Sequence, residues 1–373
     1  MACWVGWVCW LVVQVHPQKQ QIPTGPHLPW RVHLKNIVPM PPPICMSNFS
    51  RRHWLQSLAT GLAGLSLSSL SLAQSKRSSF PNKPITLIAP WPPGGGSDAV
   101  MRAFADSASR ALGVTVNIEN KPGAGGTLGA TAMLTAKPDG YTLTQLPLGV
   151  YRLPHMQKMP YDPVHDLTHI IGLTGYTFGL VATQDAPFNT PKELVAYAKA
   201  NPGKVEYGST GTGTTPHLAI EEFCQKAGIT LNHIPYKGSA ELMQAILAGH
   251  IHMMCGIPEF APWVKEGRLK VLATLGRRRS KLFPDTPTIK ESGWDTVAES
   301  PFGIGGPKGM DPAVVRVLHN AFKTTLSDPK VLEQLDKYAQ PVIYMDTQEY
   351  TRYAADTYRA ERSTIERLGL QSR

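Results

Sequence analysis

The chain has 373 residues, 42% of them hydrophobic and 17% charged, enough length and apolar content for two domains with a sizeable core. The formal net charge of +10 does not point to a nucleic-acid partner. Residues 1–73 hold Lys19, Arg31, Lys35, Arg51 and Arg52 and no acidic residue, and beyond them 32 basic residues face 27 acidic ones, scattered apart from the triplet Arg277, Arg278 and Arg279, which reads as a solvated loop.

In chain order, residues 1–45 are rich in Trp, Pro and Val, show no sustained period and read as an upstream extension. Residues 46–73 follow the plan of a secretory signal peptide: Arg51 and Arg52 as the basic end, an uncharged Leu/Ala/Ser/Gly stretch from Leu55 to Leu72, and small residues up to Ala73 for cleavage. Ser50 to Gln56, SRRHWLQ, resembles a twin-arginine export signal, with general export the other route. The apolar stretch is short and diluted for a spanning helix, which needs roughly 20 residues. The expected location is the periplasm, where Cys224 and Cys255 allow at most one disulfide; two buried free thiols are an equal expectation.

From residue 80, strand and helix patterns alternate. An apolar strand at 85–89 runs into PWPPGGGSD, Pro90 to Asp98, and a helix at 99–112 whose core face holds Val100, Phe104, Ala108 and Ala111, with Gly113 as its stop. Three glycines let main-chain N–H groups turn inward without Cβ clashes, and Ser97 or Asp98 is placed to cap the helix. A strand at 114–120 precedes a second glycine turn, KPGAGGT, and a short helix at 127–136. A strand at 141–146, a loop LPLGVYRLPHM, and apolar runs at 168–173 and 178–182 follow, with a domain crossing near Gly175. Thr190, Pro191 and Glu193 announce a helix over 191–200 with a capping box. A strand at 205–208 leads into a third glycine turn, Gly208 to His217, and then helix 218–227, strand 231–235, the turn YKGSAE with a helix to 248, strand 251–255, helix 260–265 and strand 270–274. Residues 300–312 read as a return crossing, with helices to 326, over 329–338 and over 348–368 around a strand at 342–344.

Alternation of this kind implies parallel sheets with helices on both faces and a ligand site outside the carboxyl ends of the strands. All three glycine turns occupy such ends, where helix N-termini offer unpaired donors and favour an anion. One domain over 80–175 plus 299–373 and another over 176–298 would set the turns face to face across a cleft.

The ordered segments FPNKPITLIAPWPPGGGSD, IENKPGAGGTLGA, KPDGYTL, MPYDPVHDL, KANPGKVEYGSTGTGTTPHLA, HIPYKGSAE, AILAGHIHMM, FPDTPTIKESG and GPKGMDPAVV, from Phe80 to the C-terminus, resemble the exported solute-binding proteins of tripartite tricarboxylate transporters, the Bordetella uptake gene (Bug) family. The resemblance implies an α/β type II periplasmic-binding-protein fold: two lobes, each a mixed or parallel sheet flanked by helices. It implies a monomer that closes on a small carboxylate and delivers it to membrane permease subunits or to a sensor, with no cofactor, metal or catalytic residue. Pro93, Gly94, Gly95, Gly96, Ser97, Asp98, Gly125, Gly126 and Leu148 would face the ligand from one lobe. Ser209, Thr210, Gly211, Thr212, Gly213, Thr214, Tyr236, Lys237 and Gly238 would face it from the other. Glycine N–H groups and the hydroxyls of Ser97, Ser209, Thr210 and Thr214 would donate; a few charge-assisted bonds of roughly 1.5–3 kcal/mol each reach micromolar affinity, about 8 kcal/mol. Lys237 either assists or is solvated. Many members carry an acid soon after the strand at 251–255, able to pair with a ligand amine; here Gly256 follows Cys255, and Glu259 substitutes only if its loop turns inward. With Leu148, Val150 and Tyr151 in place of a Ser/Thr-rich loop, the reading favours a carboxylate without an amine and with an apolar or aromatic part.

The rival reading is an exported nucleotide enzyme. Gly94, Gly96 and Ala99 satisfy a loose GxGxxA, and Glu119 stands where a ribose-binding acid would. Asp98 would repel a pyrophosphate, and no Gly-Lys-Ser/Thr follows any turn. A hydrolase lacks its nucleophile elbow, since Tyr207 replaces the first glycine of GxSxG before Ser209. His250 and His252 project to one side of a strand without a third metal ligand nearby.

Overall fold

The structure, a computed structural model, describes residues 80–371. The expected upstream extension (1–45), signal peptide (46–73) and cleavage near Ala73 lie outside the described residues. The chain begins with strand β1 (Ile85–Ala89), helix α1 (Gly96–Leu112) and strand β2 (Val116–Asn120), and β1 pairs with β2 in parallel from Ile85↔Val116 to Ala89↔Asn120. Val100, Phe104 and Ala108 are fully buried on α1, whereas Ala111 is exposed near its end. Burial of a side chain such as Phe104 contributes roughly 1.5–3 kcal/mol. Gly113 takes the left-handed conformation that ends the helix and donates to Ser109 O.

Helix α2 (Leu128–Met133) and strand β3 (Thr142–Leu146) follow, then the short helix α3 (Gly149–Arg152), β4 (Leu167–Tyr176) and β5 (Gly179–Thr183). Helix α4 (Pro191–Ala200) is set by its cap: Thr190 Oγ1 accepts from Glu193 N at 3.2 Å, while the Glu193 carboxylate takes the N–H of Asn189, one residue upstream of a closed capping box. The chain continues through β6 (Glu206–Ser209), α5 (Thr215–Ala227), β7 (Asn232–Pro235), α6 (Ser239–Leu247), β8 (Met253–Gly256), α7 (Ala261–Lys265) and β9 (Leu269–Thr274). It returns through β10 (Ser300–Pro307), α8 (Pro312–Thr325), α9 (Pro329–Lys337), β11 (Val342–Met345) and α10 (Thr347–Leu368).

Two sheets result. One has the order β11-β4-β10-β3-β1-β2, the other β7-β6-β8-β5-β9. Both are mixed, which corrects the expectation of parallel sheets read from alternation. In the first, β10 runs antiparallel to β3 and β4, and β11 antiparallel to β4; in the second, β5 runs antiparallel to β8 and β9. The parallel strands β1, β2, β3 and β6, β7, β8 carry the glycine turns. Apart from β11, the antiparallel pairings involve the segments that cross between the sheets: β4 ends at Tyr176 and β5 starts at Gly179, and β9 ends at Thr274 before the return on β10 at Ser300. Helices flank the sheets in a two-lobed α/β fold.

Candidate functional site

The first glycine turn is braced by its own acid. Gly94 has φ +88, a conformation open to glycine, and its N–H donates to Asp98 Oδ2 at 3.1 Å. Asp98 is buried and also accepts from Arg102 Nε at 2.8 Å and Asn120 Nδ2 at 2.8 Å, while the same Asn120 amide donates to Trp91 O. Burial opposes its charge, but the bonds from Arg102, Asn120 and Gly94 hold the carboxyl below its ordinary value. Asp98 therefore shapes the loop and does not face the cleft. Nor do Ser97 and Asp98 cap the helix: α1 starts at Gly96, and its cap residue is Gly95, which has no side chain to offer.

Between the halves lies a cavity of about 40 Å³. Trp91, Pro147, Leu148, Tyr176, Phe178 and Ile257 give it apolar and aromatic walls; Ser97, Thr210, Thr214, Thr215, Ser239 and Ser300 give it hydroxyls; no lysine, arginine or carboxylate lines it. Tyr176 is fixed at one wall, its hydroxyl accepting from Gln145 Nε2 at 2.7 Å and Trp91 Nε1 at 3.0 Å and bonding Ser97. Burial raises its phenol above the ordinary range despite those bonds. The volume holds only about two to four waters, at roughly 10–15 Å³ each; this is a shut cleft. A wider cleft of about 500 Å³ adjoins it through Trp91, Gly125 and Thr210 and adds Gly126, Gly211, Thr212, Tyr236, Lys237 and Glu241.

The third glycine turn rests on a histidine pair. Gly213 N donates to His217 Nδ1 at 3.2 Å, the His217 and His233 rings pack 4.2 Å apart, and His233 Nε2 lies 2.7 Å from Ser209 Oγ, which accepts from Gly211 N. Burial pushes His217 down to about 3 and His233 down to about 4, so both are neutral. The Ser209–His233 contact has the geometry of a nucleophile and base, but Ser209 is fully buried and lines neither the cavity nor the adjoining cleft.

Contacts cross the cleft in both directions. Arg152, buried on α3, pairs with Glu361 of α10 at 2.5 Å and extends Nη1 to Gly213 O at 3.2 Å and Thr215 Oγ1 at 3.3 Å. From the opposite half, Glu259 Oε2 accepts the N–H of Gly96 at 2.9 Å and its carboxylate also takes the Ser239 hydroxyl. Burial raises the Glu259 carboxyl above its ordinary range, with the two bonds opposing. Gly238 lies against the Pro92 ring, and Arg367 Nη1 meets Glu222 at 3.0 Å.

The structure brings Ser97, Gly125, Leu148, Thr210 and Thr214 to the cavity, and Gly126, Gly211, Thr212, Tyr236 and Lys237 to the adjoining cleft. Gly94, Gly95 and Gly96 line a groove on the far side of the first turn with Glu259 and Tyr338. Pro93, Asp98, Ser209, Gly213 and Gly238 line none of these spaces. Val150 and Tyr151 are buried in the core behind Leu148, so of the apolar frame expected there only Leu148 reaches the cavity. Sequence reading passed over Trp91, Tyr176, Phe178, Ser239 and Ser300. Trp91 and Ser239 each adjoin a glycine turn and could have been named on that ground; Tyr176 and Phe178 mark the crossing between the sheets and carry no such signal. Glu259 does turn inward, but toward the protein's own helix end.

Residues 100–370 match the tripartite tricarboxylate transporter family receptor, TctC. A protein of Cupriavidus necator, described as a UPF0065 protein in the gbd 5' region, is 47% identical over 322 residues, 86% of this chain and 98% of that one. BugT of Bordetella pertussis is 34% identical over 274 residues, 71% and 83% of the two chains. Among solved structures, the periplasmic binding protein BugD superposes with a TM-score of 0.75 at 29% identity, covering 79% of this chain and all of its own. MatC of Rhodopseudomonas palustris with bound malate (TM-score 0.72, 25% identity, 77% and 100% covered) and an R. palustris protein with adipate (0.73, 26%, 78% and 98%) share the fold. With its two mixed sheets, its glycine turns at strand ends and its shut cleft, the chain belongs to the tripartite tricarboxylate transporter receptor family, the periplasmic solute-binding proteins of the Bug type.

Proposed function

We propose that the cleft captures a small carboxylate on unpaired main-chain donors, without a cationic side chain. One observation carries this reading. Among the described helices of nine residues or more, those whose first turn opens on the cavity, α1, α5 and α6, have no side-chain cap, whereas α4, α8, α9 and α10 are capped by Thr190, Asp311, Asp328 and Asp346. Ser97, Thr215, Pro216 and Ser239, all in first turns, line the cavity. An end without a cap residue's side chain leaves donors and a positive dipole to an anion from elsewhere, as Gly96 N of α1 already takes Glu259, each contributing roughly 0.3–1 kcal/mol and up to about 2 in a partly buried setting. The malate and adipate of the two R. palustris proteins support the ligand class.

On this reading the lobes are 80–175 plus 299–373 and 176–298, hinged where the chain crosses between sheets. The chain leaves the cytoplasm through the signal peptide at 46–73 and works as a periplasmic monomer. It delivers its ligand to permease subunits of a tripartite tricarboxylate transporter or to a sensor. No helix among the described residues is long and apolar enough to cross a membrane. Binding rather than catalysis is favoured because the serine of the Ser209–His233 contact is fully buried. The nucleotide reading is disfavoured because a carboxylate, Glu259, already sits on Gly96 N, where a pyrophosphate would bind.

The test is thermal denaturation of the chain from residue 74 with a panel of small carboxylates, each beside its primary amide. At 100 times Kd, a ligand adds about 2.7 kcal/mol, or roughly 4 °C in Tm for a chain of this length. A carboxylate that shifts Tm while its amide does not supports the reading. Amides that work equally well, or no shift with any acid, would overturn it.

A further inference from the structure

The cavity has three uncapped helix ends but not three free anion seats. Glu259 reaches across the cleft and is bonded at once to Gly96 N, the first residue of α1, and to the Ser239 hydroxyl, the first residue of α6. One positive end is therefore taken by a resident carboxylate, which also sits at the first side chain of a second. The third, α5, is left to the ligand, with Thr214, Thr215 and Pro216 on the cavity wall. Behind it stands the Arg152 guanidinium, 3.3 Å from Thr215 Oγ1 and paired with Glu361.

We infer that Glu259 restricts this receptor to monocarboxylates, with the single anionic group on the α5 end and an uncharged body against Trp91, Leu148, Tyr176 and Phe178. The inference rests on the carboxylate reading above. Ser97 and Ser239 share the cavity wall with the α5 end, so a ligand whose carboxylate sits at α5 and whose body fills this cavity has its far end near them. A second carboxylate there has Glu259 as a near neighbour, behind the cavity wall on the other side of Ser239, in a site without a lysine or arginine on its wall. Like charges in a desolvated pocket repel far more strongly than in water. The adjoining cleft offers Lys237 together with Glu241, so it supplies no net positive charge for a second anionic end.

Isothermal titration of the chain from residue 74 with matched pairs, straight-chain monocarboxylates of four to eight carbons and benzoate against the dicarboxylates of the same skeletons, tests this. The tightest monocarboxylate is expected to bind at least tenfold more tightly than its dicarboxylate partner. In E259Q the amide oxygen still accepts from Gly96 while the charge is gone, and the dicarboxylate affinity is expected to rise at least tenfold relative to the monocarboxylate. Because the ratio is taken within one protein, a loss of folded fraction scales both members alike. Dicarboxylates that bind the wild-type chain as tightly as their partners, or a ratio that E259Q leaves in place, overturn the inference and spare the carboxylate reading. Binding by neither series removes both.

Discussion

Replacing Gly238 with alanine isolates lobe closure from folding. Gly238 is extended, φ −176 and ψ −179, a backbone that alanine adopts without strain. A Cβ there would stand 2.6 Å from Pro92 Cδ and 2.8 Å from Pro92 Cγ, across the cleft, where ordinary contact begins at 3.4 Å. The proline ring cannot rotate away, so the methyl is excluded only when the halves are shut. Overpacking of this size costs about 1–3 kcal/mol, which weakens ligand binding roughly 5- to 150-fold. Loss of glycine at the cap position of α6 adds only about 1 kcal/mol or less to unfolding. The double variant G238A/P92A removes Cδ and Cγ and leaves Pro92 Cβ, 3.8 Å away, as the nearest atom, so affinity should return to within a few-fold of P92A alone. Titration calorimetry reads the affinities and urea denaturation the stability. Wild-type affinity in G238A, or no recovery in the double variant, would refute closure of these turns on each other.

G95A should act in the same way from the other lobe, since its Cβ would fall closer than 3.0 Å to Ser239 Oγ while φ −89 is ordinary for alanine; calorimetry should show weakened binding at near-unchanged Tm. Acid should destabilise the protein through buried neutral histidines. Burial holds His169 at about 4 and, helped by His233 and Arg152, His217 at about 3, against about 6.5 unfolded, so stability is complete above pH 6.5 and falls toward those lower values. By pH 4.5 each removes about 3 kcal/mol; a urea midpoint flat from pH 7 to 4.5 would contradict this, and H169F should lessen the slope. R152A strands Glu361 and should cost about 3–5 kcal/mol in urea unfolding; a loss under about 1 kcal/mol would show that the pair is not desolvated. Cys224 and Cys255 are buried and unbridged, with burial pushing the Cys224 thiol up to about 12 and Cys255 higher still. The native mature chain should therefore resist a thiol reagent and the denatured chain release two thiols, whereas none released would mean a disulfide.

Local chemistry was legible in the sequence wherever neighbouring residues decide the outcome. β1 falls on Ile85–Ala89 because an apolar run meets a proline, and α4 on Pro191–Ala200 because Thr190 and Pro191 fix its start. The start of α1 was read three residues late because the cap is a glycine with no side chain to announce it. α3 was read as loop, being four residues between a proline-bearing entry and exit. Antiparallel insertion of β10 between β3 and β4 depends on a return more than 120 residues down the chain, which alternation does not encode. The same distance hides the cross-cleft bonds. Glu259 lies 163 residues from Gly96, and Arg152 lies 209 from Glu361. The glycine turns announced where an anion could bind; which helix ends the protein fills with its own carboxylate emerges only from the packing of one half on the other.

The most direct measurement is a crystal structure of the chain from residue 74 with the tightest-binding carboxylate from the thermal panel. Its carboxylate is expected between the halves, with oxygens within about 3 Å of main-chain N–H groups at the first turn of α5 and no lysine or arginine bonded to it. A carboxylate seated outside the cleft, or inside it on a cationic side chain with the helix ends unused, would contradict it.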